Sequence, residues 1–268
     1  MPPAPFICQP VGAGAWLDSG LALVHPDESW LAVADLHYGY EVCQRAAGGL
    51  FPLWGMEELE SRLDRLIQHY RPTRLILAGD LLHASAAIRP LIDWLNRLRA
   101  DGLELILIEG NHDRHLAKHL ALVDEWTSGP WRFVHGHGCD DFSWPGTTIQ
   151  GHWHPAWTLR DGAGTRLRLP AFVQRENQWI LPAFSPWAAG TAWAARESDA
   201  ITVCHPSRLL TVNPLAPAAG TANSRLRPAS NNPQKSGATL ADEGSNANRP
   251  DPDLPSRTTA ARRAGPGC

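Results

Sequence analysis

Short apolar runs alternate with longer amphipathic stretches through the first half of the chain. Residues 21–24 and 30–34 are apolar runs separated by His25-Pro26-Asp27-Glu28, a turn-like insert, so they predict a pair of strands. Over 56–70 the apolar positions Met56, Leu59, Leu63, Leu66, Ile67 and Tyr70 recur at helical spacing. Glu57, Glu58 and Glu60 sit near the start, where negative charge suits the helix dipole. Arg71-Pro72 breaks this helix, and Leu75-Ile76-Leu77 then reads as a buried strand, completing one strand-helix-strand crossover of an α/β fold. Ile88, Leu91, Ile92, Leu95 and Leu98 repeat the helical spacing until Asp101-Gly102, and residues 103–108 supply the next strand. Further short stretches at 131–134, 147–150, 166–169, 179–181 and 201–203 read as strands and predict a strand-rich second half. An α/β half followed by a β half fits two sheets packed face to face with helices outside.

After Asn213 the pattern stops. Pro, Ala, Ser, Asn, Thr and Arg dominate with almost no large apolar residue, which cannot bury a core, so residues 1–213 are expected to form one domain and 214–268 a disordered tail. With 43% hydrophobic residues among 268, the remainder has ample material for a sizeable core. No run approaches the roughly 18 to 20 apolar residues of a membrane span, and MPPAPFICQP lacks the basic start and apolar centre of a secretory signal, so a cytoplasmic location is expected. Cys8, Cys43, Cys139, Cys204 and Cys268 are odd in number and form no CxxC pair, which indicates reduced thiols rather than a zinc knuckle or a disulfide framework. The net charge of -3 is uneven: residues 215–268 hold seven Lys or Arg against four Asp or Glu, so the body is the more acidic part. That balance argues against a broad basic face gripping long duplex, and leaves short or single-stranded phosphodiesters as possible substrates.

Five stretches carry the candidate chemistry: Asp35-Leu36-His37, Gly79-Asp80, Gly110-Asn111-His112-Asp113, His135-Gly136-His137 and Gly151-His152-Trp153-His154. Each follows a predicted strand, and ligands at strand ends converge in space. Hydrolysis of a phosphate ester near neutral pH needs a strong nucleophile and a way to neutralise phosphoryl charge, and two metals about 3.5–4 Å apart supply both. Asp80 is the natural bridging carboxylate. Asp35 and His37, one residue apart, would share one face of a strand end, and His152 and His154 repeat that spacing. Mixed Asp, Asn and His ligation favours manganese, iron or zinc over magnesium, because imidazole suits a hard oxygen-seeking ion poorly.

The order D-x-H, GD, GNHD, H, GHxH resembles the signature of the calcineurin-like metallophosphoesterases over roughly residues 15 to 205. The resemblance implies the four-layer sandwich of that family and a hydrolase in which a metal-bridging hydroxide attacks phosphorus. It also implies Asp35, His37 and His154 on one divalent metal, Asn111, His135 and His152 on the other, and Asp80 between them. In the family the histidine of the GNH motif is not a ligand, so His112 would protonate the leaving oxygen or stabilise the developing charge, with Asp113 orienting it and raising its basicity. ADLHYGYE, GDLLH and GHWHPAW, followed by Leu169-Pro170-Ala171-Phe172 and Leu181-Pro182-Ala183-Phe184, are similar to the ICC-like branch, which includes the DNA ligase-associated phosphoesterases. A phosphodiesterase, with nucleic acid in DNA repair as a candidate substrate, is the resulting expectation. A phosphomonoesterase or small-nucleotide hydrolase, and a non-catalytic metal-bound interaction module, are the rivals; an intact His112 argues against the second.

His137 competes with His135 for the second metal, the resemblance favouring His135. His83 reads equally as a supporting group or a phosphate contact. His25, His69, His115, His119 and His205 read as surface or packing residues. Twelve tryptophans are many for this length. Packing is the plain reading, and a stacking platform for bases at Trp153 and Trp157 the sharper one. Trp54 and Arg45 are candidates for a substrate groove, and Arg114 for a phosphate contact.

Overall fold

A computed structural model of the chain describes residues 7–138, 144–160, 163–188 and 190–213. Cys139, Cys268 and the expected 214–268 tail lie outside them. Six strands form the first sheet in sequence order: β1 (Cys8–Gly12), β2 (Ala15–Asp18), β3 (Ala22–His25), β4 (Trp30–Val33), β5 (Arg74–Ala78) and β6 (Glu104–Ile108). The first four are joined antiparallel, whereas β4, β5 and β6 run parallel. Parallel neighbours need crossovers, and α2 (Gly55–Tyr70) and α3 (Ile88–Ala100) provide them; a shorter helix, α1 (Tyr40–Ala46), precedes α2.

The helices form where the pattern puts them. Leu59, Leu63 and Leu66 of α2 and Leu91, Trp94, Leu95 and Leu98 of α3 are buried. Arg71 closes α2 in a left-handed conformation, its N–H donating to the carbonyl of Ile67, and Pro72 then prevents continuation.

The second sheet contains nine strands: β7 (Glu125–Ser128), β8 (Trp131–Val134), β9 (Thr147–Gln150), β10 (Pro155–Arg160), β11 (Arg166–Arg175), β12 (Gln178–Ile180), β13 (Thr191–Ala192), β14 (Ala200–His205) and β15 (Arg208–Val212). It is also mixed, with β8, β9 and β12 parallel and β10, β11, β14 and β15 antiparallel.

One buried cluster joins the two sheets. Trp30 of β4 meets Phe133 and Trp131 of β8 edge to face, with ring centroids 5.1 and 5.6 Å apart, and Phe172, Trp179, Leu181 and Phe184 continue the same core. The expected sandwich of two mixed sheets with helices outside is therefore present, and α2 and α3 bury their apolar faces in the core of the first sheet. A smaller cluster around Ala171, Val173, Ile180, Ile201 and Val203 stabilises β11, β12 and β14. No helix among the described residues is long and apolar enough to cross a membrane.

Candidate metal centre

The C-terminal ends of β4, β5, β6, β8 and β9 deliver all five motifs to one place, the position where open α/β sheets present their ligand-binding loops. The backbone leaves each strand sharply. Asp35, His37, Asp80, His152 and His154 all have positive φ, between 43° and 68°. Such conformations cost about 1–3 kcal/mol each for residues with a side chain, so the surrounding contacts must hold them. Those contacts are specific: the N–H of Asp35 donates to Gly79 O (3.2 Å), that of His37 to Asp80 O (2.8 Å) and that of Gly151 to His135 O (3.1 Å). The second LPAF segment clamps the first motif, because Phe184 N donates to Ala34 O (2.8 Å) and Ser185 N to Asp35 O (3.2 Å). Two glycines are required by close approach. A Cβ on Gly110 would collide with the backbone nitrogen and Oδ1 of Asp80, and one on Gly79, at φ +79°, with the His135 ring.

Two groups of donor atoms result. Asp35, His37, Asp80 and His154 form one, Asp80, His135 and His152 the other, and within each group the donors lie within 4.8 Å of one another. Asn111 joins the second group, its Oδ1 3.0 Å from His135 Nε2. His37 Nε2 stands 3.2 Å from His154 Nε2, and His135 Nε2 the same distance from His152 Nδ1. Ligand atoms about 2.1 Å from a common cation at tetrahedral or octahedral angles lie roughly 3.0–3.4 Å apart, so this donor set fits two divalent cations sharing Asp80. His152 and His154, one residue apart like Asp35 and His37, do not share a group: His154 joins Asp35 and His37, and His152 joins His135.

Electrostatics agree with this geometry. Burial, then the charges of His154, His83 and His112, push His37 down to about 2, keeping its imidazole neutral with lone pairs available. Burial and then His135 lower His152. Burial raises Asp35 despite the His154 ring and the His152 N–H, which donates to its carboxylate at 2.9 and 3.1 Å. His154 is depressed by burial, yet its hydrogen bond to Asp35 and the charge of Asp35 outweigh this and raise it. Two buried carboxylates, Asp35 and Asp80, surrounded by imidazole donors are a site that positive charge stabilises.

His112 stands at the rim with a side chain 47% exposed, its Nε2 3.9 Å from Asp80 Oδ2 and its ring 5.4 Å from that of His37. The expected pairing of Asp113 with His112 is not formed. Asp113 is fully buried, and its carboxylate accepts the backbone N–H groups of Leu82 (2.9 Å), Gly110 (2.9 Å) and Leu81 (3.1 Å). It therefore fastens the GNHD loop to the GDLL loop, and burial raises it to about 6 against the pull of those three donors.

His137 belongs to neither donor group, although its ring lies 5.2 Å from His152. His83 packs against the site, with Nδ1 3.3 Å from His37 Nδ1 and its ring stacked on His112. Trp157 packs against the smaller core, while Trp153 is 49% exposed beside His152, so packing accounts for only one of the pair. Trp54 lies over Trp187, whereas Arg45 donates to Phe51 O and Arg114 is exposed. His25 packs between Trp30 and Trp131; His69, His115 and His119 are exposed, and His205 is partly so.

One supporting residue was missed. Arg62 of α2 is half-buried, donates to Phe184 O and stacks over the Phe184 ring at 4.2 Å, so it secures the segment that clamps Asp35; desolvation lowers it to about 10. An arginine on the same helix face as Leu59, Leu63 and Leu66 was the available signal.

Two mixed sheets presenting paired Asp/His donor groups around one shared aspartate define a metallophosphoesterase. The sequence profile of the calcineurin-like phosphoesterases matches residues 30–179, and the chain belongs to that family, whose members are metal-dependent hydrolases. Among solved structures it is similar to the Pseudomonas putida nuclease MPE, with 29% identity, a TM-score of 0.61, and coverage of 77% of this chain and 100% of that one. Yfce, a phosphoesterase from E. coli, aligns more distantly, at 14% identity and a TM-score of 0.38 over 69% of this chain and 98% of that one. No curated protein sequence matches the chain.

Proposed function

We propose that the protein is a phosphodiesterase acting on nucleic acid through a dinuclear divalent metal centre, with manganese the best fit and iron or zinc alternatives. The observation that carries this reading is the sharing of Asp80 by two donor groups. Asp35, His37 and His154 would hold one cation, Asn111, His135 and His152 the other, and Asp80 both. Bound there, two divalent cations would neutralise phosphoryl oxygens and provide an activated water.

The remaining work belongs to the chain's own groups. His112 stands close enough to Asp80 to reach an ester bound over the site, yet its ring is exposed and can exchange its proton with solvent, which suits a donor to the leaving oxygen. Its backbone N–H donates to Asp80 Oδ1 at 3.0 Å, so ring and carboxylate are positioned together. Asp113 holds both loops in register from below.

Likeness to a nuclease over its full length supports a nucleic acid diester in preference to a monoester, and the ICC-like motifs support a place in DNA repair. A cytoplasmic location accords with that role. The test is a side-by-side assay of bis-p-nitrophenyl phosphate and p-nitrophenyl phosphate with manganese-loaded protein. Diester turnover should dominate; dominant monoester turnover contradicts the reading.

A further inference from the structure

The second donor group borders a cavity of about 920 Å³ whose lining the hydrolytic groups do not use, apart from His152 at its edge. Its size is within the range of small-molecule sites. Two indoles contribute to it. Trp153 is half exposed, and Trp193 is fixed in place: its ring N–H donates to Asp199 (2.9 Å), and the Arg175 guanidinium lies 4.9 Å over its face. Arg175 is in turn held by Asp199 through two hydrogen bonds of 2.8 and 2.7 Å. A flat surface ordered in advance, here the guanidinium held against Trp193, loses little freedom when a ligand stacks on it.

On the neighbouring parallel strands β9 and β12 of the second sheet, Gln150 Nε2 donates to Gln178 Oε1 at 3.3 Å. Among the described residues, this leaves Gln150 Oε1 as an acceptor and Gln178 Nε2 as a donor, both on the cavity lining. The charges nearby cancel, Arg175 against Asp199 and the lining residue Arg196 against Glu176. Flat rings, a donor-acceptor edge and no excess charge suit a neutral aromatic heterocycle better than a second phosphate.

We infer that this cavity receives the nucleoside attached to the scissile phosphate, its base stacking on the half-exposed Trp153 indole or the flat Arg175 guanidinium that covers Trp193, and its polar edge facing the glutamine pair. The inference rests on the phosphodiesterase reading and names the part of the substrate that the metal centre cannot select.

Ala194 lines the cavity and is exposed, so Ala194→Trp should fill it without disturbing either core. In the manganese-loaded protein this variant should raise KM for thymidine 5′-p-nitrophenyl phosphate by about tenfold or more, and leave KM for methyl p-nitrophenyl phosphate within about twofold. Gln178→Ala, which adds no bulk, should shift the first KM in the same direction. Equal effects on both diesters, or no effect on either, would overturn the inference. If the wild-type protein hydrolyses neither diester, the phosphodiesterase reading fails, and calorimetric titration with thymidine 5′-monophosphate decides the cavity separately. Binding weakened by about tenfold in Ala194→Trp supports it, and absent or unchanged binding refutes it.

Discussion

A histidine that assists a leaving group must reach the site without serving as a metal ligand. His112 meets both conditions, since it is 3.9 Å from Asp80 but outside both donor groups. Replacing it with alanine should leave both metals bound and lower kcat by about 10²-fold, as expected for loss of a general acid. Metal analysis beside steady-state kinetics checks this; loss of a metal equivalent would contradict the role. Asp113 shows where residue types alone mislead. A His-Asp neighbour pair suggests a catalytic dyad, but three buried N–H groups compete for the same carboxylate, and unsatisfied buried donors cost more than a rim contact gains. The ligand types were legible because few other reasons gather Asp, Asn and His after successive strands. The division of His152 and His154 was not, because the same one-residue spacing keeps Asp35 and His37 in one group and separates these two, so the neighbouring chain segments decide it.

At the scale of elements, the parallel strands were the easiest to read. Leu75, Ile76 and Leu77 of β5 are buried on both faces, and such strands appear as continuous apolar runs. The β1–β2 hairpin and α1 were not anticipated. β1 carries Pro10 and alternates between exposed and half-buried positions, and α1 spans only seven residues, with Glu41 as one of its two buried side chains. Glu41 accepts the N–H of Met56 (2.8 Å), so a polar contact replaces the apolar period that would have marked the helix.

The Arg175–Asp199 pair links β11 to the turn before β14, and it allows a pH prediction. Burial opposes ionisation of Asp199, but the hydrogen bonds from Arg175, Arg196 and Trp193 prevail and hold it at about 2, below its ordinary value of 3.8. A carboxylate depressed on folding stabilises the fold fully above its unfolded pKa and loses that contribution as pH falls through its folded pKa. Asp199→Asn should therefore cost about 2 kcal/mol at neutral pH, and the penalty should shrink between about pH 4 and pH 2. Urea unfolding midpoints of both proteins across that range test it, and a penalty that stays constant refutes it.

For the whole molecule, the fold confines the chemistry to one edge of the sandwich, where both sheets end. β4, β5 and β6 bring Asp35, His37, Asp80 and Asn111 from the first sheet, while β8 and β9 bring His135, His152 and His154 from the second. The centre therefore requires the two sheets to be docked, and the aromatic contact of Trp30 with Trp131 and Phe133 supplies that docking. A body more acidic than the whole chain fits a substrate gripped locally by metals and a cavity rather than by a broad basic surface. The most direct test is anomalous diffraction from crystals grown with manganese. The account predicts two peaks per chain on either side of the Asp80 carboxylate, one contacted by Asp35, His37 and His154 and the other by Asn111, His135 and His152. A single peak, or a second metal ligated by His137 in place of His135, would contradict it.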